Sequence, residues 1–289
     1  MESKKVVLLT GTSKGGLGDA LARAFHARGY RVIATARNPA KVAHFEALGI
    51  ETLTLDVLSS ESIAASVAAL SKLTDSRLDV LVNNSGGGYS MPLADVSIDH
   101  ARGIFELNVW SVLAVTQAFL PLLLKAPGGG LIANQSSVVS VLPYPTSGIY
   151  NSSKAAVAHL TDTLRLELAP FGVKVVDLKT GMVRSSFYDN INKGEEPQLP
   201  EQSLYNVAKE EVEKVMKGID NREQAVDADL WAKEVVASLI VASPPAQIWK
   251  GGKAWVIWFA RRFLPANVLD SSLSKMGGME AVKQKLGRT

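Results

Sequence analysis

Residues Leu9 to Ala20 read LTGTSKGGLGDA, with four glycines set between a Val- and Leu-rich run and a run with helical spacing. Before the glycines, Val6 to Leu9 is short and apolar. After them, Leu17, Leu21, Ala24 and Phe25 recur at helical intervals, and Gly29 is a natural stop. In a strand-turn-helix, glycines let the backbone turn sharply and approach a pyrophosphate closely, while the helix N-terminus offers unpaired N–H groups and a partial positive charge. Gly11, Gly16 and Gly18 are placed for those roles, with Gly15 adding slack. A glycine-rich turn that holds no ligand is the bland alternative; the motif needs a strand before it and a helix after it, and both are present.

The same alternation runs on to about residue 180. Strand-length apolar runs lie at Val6 to Leu9, Arg31 to Thr35, Glu51 to Leu55, Val80 to Asn83, Leu131 to Asn134 and Lys174 to Leu178, with amphipathic segments between them. This predicts an α/β fold, a doubly wound parallel sheet with helices on both faces, as a single domain over 1–289. Asn190 to Ala228 breaks the rhythm: NKGEEPQLPEQS is polar and proline-bearing, and a charged helix candidate follows. It comes after the sixth strand, where the carboxyl ends of a parallel sheet open, so 190–228 is a candidate substrate lid. Residues 250–289 form a hydrophobic C-terminal extension.

The bulk numbers exclude several classes. A chain of 289 residues, 47% hydrophobic, can bury a sizeable core. Its net charge of +3, with no dense basic stripe, gives no sign of nucleic-acid binding. With no cysteine there are no disulfides, thiolate metal sites or thiol nucleophiles, and no metal is expected. The start MESKKVVLLT lacks the features of a signal peptide, so an intracellular, cytoplasmic location is expected. Val109 to Leu124 is the longest apolar stretch and reads as a buried helix, short of the roughly 20 residues that span a bilayer.

After the second strand comes ATARN, where a nucleotide-binding fold usually keeps an acidic residue for the ribose hydroxyls. Here the position carries Arg37, and Lys14 can approach from the glycine turn. A cation pair suits a 2′-phosphate, so NADPH is favoured over NADH; a merely solvated Arg37 is the alternative. Tyr150 and Lys154, in YNSSK, are four apart in a helical segment and share a face. An ammonium beside a phenol favours the phenolate, which makes the pair a proton donor for a carbonyl under reduction; a surface Tyr-Lys pair is the commoner outcome of such spacing. Ser137, 13 residues before Tyr150, could bond the substrate oxygen as charge develops.

TGTSKGGLG, NNSGG at Asn83 to Gly87, LNVW around Asn108, Ser137, YNSSK and KTGMVRSS stand in the order and approximate spacing of the short-chain dehydrogenase/reductase family. The resemblance spans roughly residues 5 to 190. It implies a Rossmann-type fold that binds NADP(H) and reduces a ketone to a secondary alcohol. Asn108 resembles the residue that holds a helix kink and a relay water, Ser137 the substrate-polarising hydroxyl, and Tyr150 the general acid/base. Lys154 resembles the residue that tunes the tyrosine and binds the nicotinamide ribose. The implied cofactor contacts are Gly11, Thr12, Ser13, Lys14, Gly16, Leu17, Gly18, Arg37, Asp56, Val57, Asn83, Ser85, Gly86, Tyr150, Lys154, Gly181, Val183 and Ser185.

Three departures stand out: the glycine turn is one residue longer than the usual pattern, Ser85 replaces the usual alanine, and Thr180 replaces the usual proline before Gly181. With ATAR, the long turn and TG resemble a fungal and yeast subgroup that includes NADPH-dependent 1-acyldihydroxyacetone-phosphate reductase, alongside ketoreductases of secondary metabolism. The resemblance also implies a homodimer or homotetramer. A non-catalytic NADP(H) sensor, an NAD-using alcohol dehydrogenase and a diverted isomerisation or cyclisation are the rival readings.

The segment IWKGGKAWVIWFARRFLP concentrates Trp249, Trp255 and Trp258. It reads either as a core or subunit-interface helix or as a hydrophobic rim for peripheral membrane or lipid-droplet contact, with arginines at the headgroups.

Overall fold

A computed structural model describes residues 4–187, 191, 196–218 and 224–288. The strands are β1 (Val6–Leu9), β2 (Arg31–Ala36), β3 (Glu51–Thr54), β4 (Val80–Asn83), β5 (Leu131–Gln135), β6 (Lys174–Thr180) and β7 (Gln247–Lys250). The helices are α1 (Leu17–Ala27), α2 (Ser60–Leu73), α3 (Ile98–Phe105), α4 (Ser111–Leu123), α5 (Gly148–Leu168), α6 (Lys209–Met216), α7 (Ala228–Leu239), α8 (Ala254–Phe263), α9 (Asp270–Met276) and α10 (Met279–Lys285).

The described strands form one parallel sheet in the order β3-β2-β1-β4-β5-β6-β7. Its central strands are continuous apolar runs because both faces are covered: β1, β4 and β5 are buried along their whole length. Side chains alternate between the two layers, Val7 and Leu9 meeting α1 and α7 on one face, Val6 and Leu8 meeting α2, α4 and α5 on the other. Phe25 of α1 and Trp231 of α7 are fully buried in the first layer, and Phe119 of α4 in the second. At the β3 edge burial alternates instead, and Arg31 braces Glu51 through two bonds of 2.7 and 2.9 Å.

The chain builds outward from β1 to β3, then returns to β4 and continues the other way. That reversal opens a crevice beyond the carboxyl ends of β1 and β4, the general position for ligands in such sheets.

Three expectations change. First, β7 completes the sheet beyond the six strands read from sequence. Second, the stretch from Val109 belongs to a longer helix, Ile98–Leu123, whose 26 residues hold an 18-residue window of mean hydropathy 1.4, enough by length and composition to cross a membrane. The polar start of α3 concealed that length. Its Val112, Val115, Phe119, Leu122 and Leu123 are nevertheless buried, and most of them pack on the sheet. Third, the core alternative for the C-terminal helix fails, because Trp255 on α8 is 71% exposed.

Within the candidate lid, Asn190, 192–195 and 219–223 lie outside the described residues. The remainder folds around a small core of Leu199, Ala208, Val212 and Met216, against which Met279, Ala281 and Val282 of α10 pack. The insertion and the C-terminal extension therefore cover one another.

Candidate active site

The glycine turn leaves β1 at Thr10, whose Oγ1 accepts from the backbone N–H of Asn84 at 3.0 Å and of Ser85 at 2.9 Å. Gly11 has φ +68°, a left-handed conformation that favours glycine, and an added Cβ there would lie 2.9 Å from the Ser85 Cα. A Cβ on Gly18 would lie 2.5 Å from the Gly11 carbonyl oxygen and 2.6 Å from Asn84 Nδ2. The turn is thus a cradle that only glycine permits. Gly16 is the N-cap of α1 and, having no side chain, leaves the first helical N–H groups without a side-chain cap. N–H groups at that end and the helix dipole suit a pyrophosphate.

Several predicted contacts are committed elsewhere. Thr12 is fully buried with its Oγ1 donating to the Thr35 carbonyl at 3.1 Å. Asn83 is turned into the core, where its Nδ2 donates to Asn134 Oδ1 at 2.8 Å and Thr116 Oγ1 at 2.9 Å. Neither side chain faces the crevice. The next residue, Asn84, which sequence reasoning missed, does the positioning: its Nδ2 donates to the carbonyls of Thr10 at 3.0 Å and Gly11 at 2.8 Å.

Beyond β2, Arg37 is exposed. The Lys14 backbone N–H bonds the Lys41 carbonyl at 3.1 Å, tying the glycine turn to the short turn that follows Arg37. Lys14, Arg37 and Lys41 are all exposed at this end of the sheet. Asp56 follows β3 with Oδ1 accepting from the Leu58 N–H at 3.1 Å, and Val57 is buried beside it.

Deeper in the crevice, a π-helical turn at Glu106–Trp110 interrupts the long helix and contains Asn108, which is fully buried. A π turn widens the helix by one residue and redirects its side chains. Asn108 Oδ1 accepts from the Gly87 N–H at 2.8 Å, while Nδ2 donates to the Gly87 carbonyl at 3.0 Å and to Ser153 Oγ at 2.9 Å. Ser153 in turn donates to the Tyr150 carbonyl at 2.8 Å, so Asn108 ties the β4 loop to the first turns of α5.

Tyr150 and Lys154 project from α5, with Lys154 Nζ 5.9 Å from the Tyr150 ring centroid. Lys154 is 4% exposed and donates to the Gln135 carbonyl at 2.8 Å. Burial pushes its ammonium down from the usual lysine range to about 8, with Asp177 opposing that shift. A Cβ on Gly86 would sit 3.1 Å from Asn108 Oδ1 and 3.4 Å from Lys154 Nζ, so glycine keeps open the space these groups share. Ser137, 8% exposed, donates from Oγ to the Thr180 carbonyl at 3.3 Å.

The loop after β6 closes over the crevice. The Ser186 N–H donates to the Gly15 carbonyl at 3.0 Å, Ser185 Oγ accepts from the Phe187 N–H at 3.4 Å, and the Phe187 ring lies 5.5 Å from that of Tyr150. Gly181 is held by the Lys250 carbonyl at 2.8 Å, and Val183 is buried. Thr180, where the family has proline, uses its hydroxyl to accept from Gln135 Nε2 at 2.6 Å.

The short-chain dehydrogenase family model matches residues 5–196, about two-thirds of the chain, and takes in the crevice residues from Thr10 to Phe187. The chain belongs to the short-chain dehydrogenase/reductase family. A family member from Pestalotiopsis microspora is 46% identical over 286 residues, covering 99% of this chain and 98% of its own. An NADPH-dependent 1-acyldihydroxyacetone phosphate reductase of Schizosaccharomyces pombe is 38% identical over 206 residues, covering 71% and 69%. Among solved structures, a short-chain dehydrogenase from Streptomyces avermitilis superposes with TM-score 0.77 at 29% identity, over 99% of each chain. The Rossmann-type sheet and the oxidoreductase class are therefore this protein's own.

Proposed function

We propose that this short-chain dehydrogenase/reductase is an NADPH-dependent ketone reductase. The observation that carries the reading is the meeting of Asn108 and Lys154 at the space kept open by Gly86, with the Tyr150 ring centroid 5.9 Å from Lys154 Nζ. A reduced nicotinamide cofactor supplies the hydride. The chain's residues do the rest: Tyr150 gives a proton to the carbonyl oxygen, Ser137 bonds that oxygen as charge develops, and Lys154 holds positive charge beside the phenol. Four such groups in one crevice are more than a nucleotide sensor needs.

For the cofactor, exposed Arg37, Lys14 and Lys41 at the end of β2 supply cations where an acidic residue would favour NADH. The NADPH dependence of the fission-yeast relative supports the same choice. Replacing Arg37 with glutamate is expected to weaken NADPH binding by roughly 10- to 100-fold, the scale of one charge-assisted phosphate contact, while sparing NADH. Fluorescence titration of both cofactors reads this directly; equal losses for the two would assign Arg37 no part in discrimination.

For the substrate, Phe187 and Ile191 approach Gly88, and Phe187 stacks toward Tyr150, which gives the catalytic end an apolar wall. An aliphatic or aromatic ketone suits it, and a 1-acyldihydroxyacetone phosphate is the leading case. The testing assay is NADPH oxidation with that lipid, aromatic ketones and polyketide-like diketones. Turnover of the acyl phosphate supports a lipid reductase, whereas turnover of the others alone moves the protein to secondary metabolism. Exposed Ile98, Trp110 and Leu166 on α3 to α5 and the intervening π turn are the face proposed for a homodimer or homotetramer.

A further inference from the structure

The C-terminal extension concentrates both the exposed aromatic surface and the positive charge of the molecule. On α8, Trp255, Trp258 and Phe259 are 71%, 43% and 47% exposed, and Phe263 at its end is 60% exposed. Ala254 and Ala260 face the protein, so the helix is seated through small residues and turns its large ones outward. Trp255, Trp258, Phe259 and Arg262 are spaced for one helical face. The rings pack on each other rather than on the core, with Phe263 lying 5.8 Å from Trp258 and 5.1 Å from Phe259.

Charge follows the same segment. From Lys250 to the end, eight Lys and Arg face two Asp and Glu, a net +6 in a chain whose total is +3. The other 249 residues are therefore net acidic, and the basic excess is local. Arg261 is drawn to the Ala266 carbonyl at 2.8 Å, while Arg262 is exposed among the rings. An exposed aromatic face edged with cations complements an anionic lipid surface, with rings in the acyl boundary and arginine at the headgroups.

The same segment is joined to the crevice. Gly252 and Met182 exchange backbone bonds of 2.9 and 3.1 Å, attaching the start of α8 to the loop after β6. Tyr144 Oη donates to the Met276 carbonyl at 3.4 Å, and Gly277 packs on Pro145, in the loop that leads to Tyr150.

We propose that α8 is a docking face for an anionic membrane surface, set beside the mouth of the active site. The proposal rests on this surface and stands whether or not the substrate is a lipid.

Co-flotation of the full chain with vesicles of phosphatidylcholine, with and without 30% phosphatidylserine, tests it. We expect binding to the anionic vesicles, lost by at least about tenfold in Trp255→Ser/Trp258→Ser/Phe259→Ser and by several-fold in Arg262→Glu. NADPH binding and circular dichroism should be retained in both variants, and Arg262→Glu, with its exposed change, carries the test if the triple variant fails to fold. Flotation unaltered by Arg262→Glu and by a folded triple variant would overturn the proposal, as would no flotation of the parent. A parent whose light-scattering mass halves in the triple variant, without vesicle binding, would make α8 a subunit interface instead.

Discussion

Tyr150→Phe is expected to lower kcat for ketone reduction by about 10²- to 10⁴-fold, the range of a positioned general acid, with NADPH affinity nearly unchanged. The phenyl ring can keep its place against Phe187, whose centroid is 5.5 Å away, so that packing survives while the proton donor is lost. The pH profile should carry the signature of the neighbouring ammonium. Burial sets Lys154 near 8, so the group is charged below that value and neutral above it. The reductive kcat/KM, which reports the free enzyme, should therefore fall as pH rises through about 8. For stability the sign is opposite: between about 8 and 10.5 the unfolded chain holds the proton and the folded chain does not, so this group's contribution rises with pH across that window. Stopped assays over pH 6 to 10, with urea unfolding in the same buffers, check both.

Lys179→Met is expected to destabilise the protein by about 3–5 kcal/mol at neutral pH, because it leaves a buried carboxylate without its counter-charge. Lys179 Nζ lies 2.8 Å from Asp177 Oδ2, and the two side chains are 3% and 0% exposed. Lys179 also donates to Ser140 Oγ at 2.8 Å, and Ser136 donates to Asp177 Oδ1. Burial raises the Asp177 pKa, while Lys179 and Ser136 oppose that rise. Without the lysine the carboxyl should protonate more readily, so the destabilisation should shrink as pH falls. Adding Asp177→Asn to the variant should recover a large part of the loss. Urea midpoints of the single and double variants measure this; a single variant within 1 kcal/mol of the parent would mean that water or a rearranged partner serves Asp177.

The sheet was legible because its strands are buried on both faces and so stand out as apolar runs between helical periods. β7 was not: QIWK is four residues at an edge, with Gln247 and Lys250 at its ends, and only its pairing with β6 makes it a strand. The glycine turn, Tyr150 and Lys154 were legible because their chemistry depends on local spacing. Asn83 and Asn84 are a harder case, since pleating sends adjacent side chains to opposite sides and the sequence does not say which one meets the crevice. The Asp177 and Lys179 pair was missed for a related reason. Two charges in an apolar strand acquire meaning only when Ser136 and Ser140, about 40 positions away, arrive as partners.

The central claim is hydride transfer to a ketone, with the crevice serving chemistry rather than nucleotide sensing or isomerisation. Its most direct test is incubation of the protein with the best-used ketone of the panel and NADPH deuterated at C4, each face in turn, followed by mass spectrometry of the product. The account predicts one deuterium on the carbinol carbon from one of the two labelled cofactors, and at least about 100-fold less labelled product in the same time with Tyr150→Phe. Product that forms without label from both of the labelled cofactors, or tight NADPH binding with no transfer to any ketone, would contradict it.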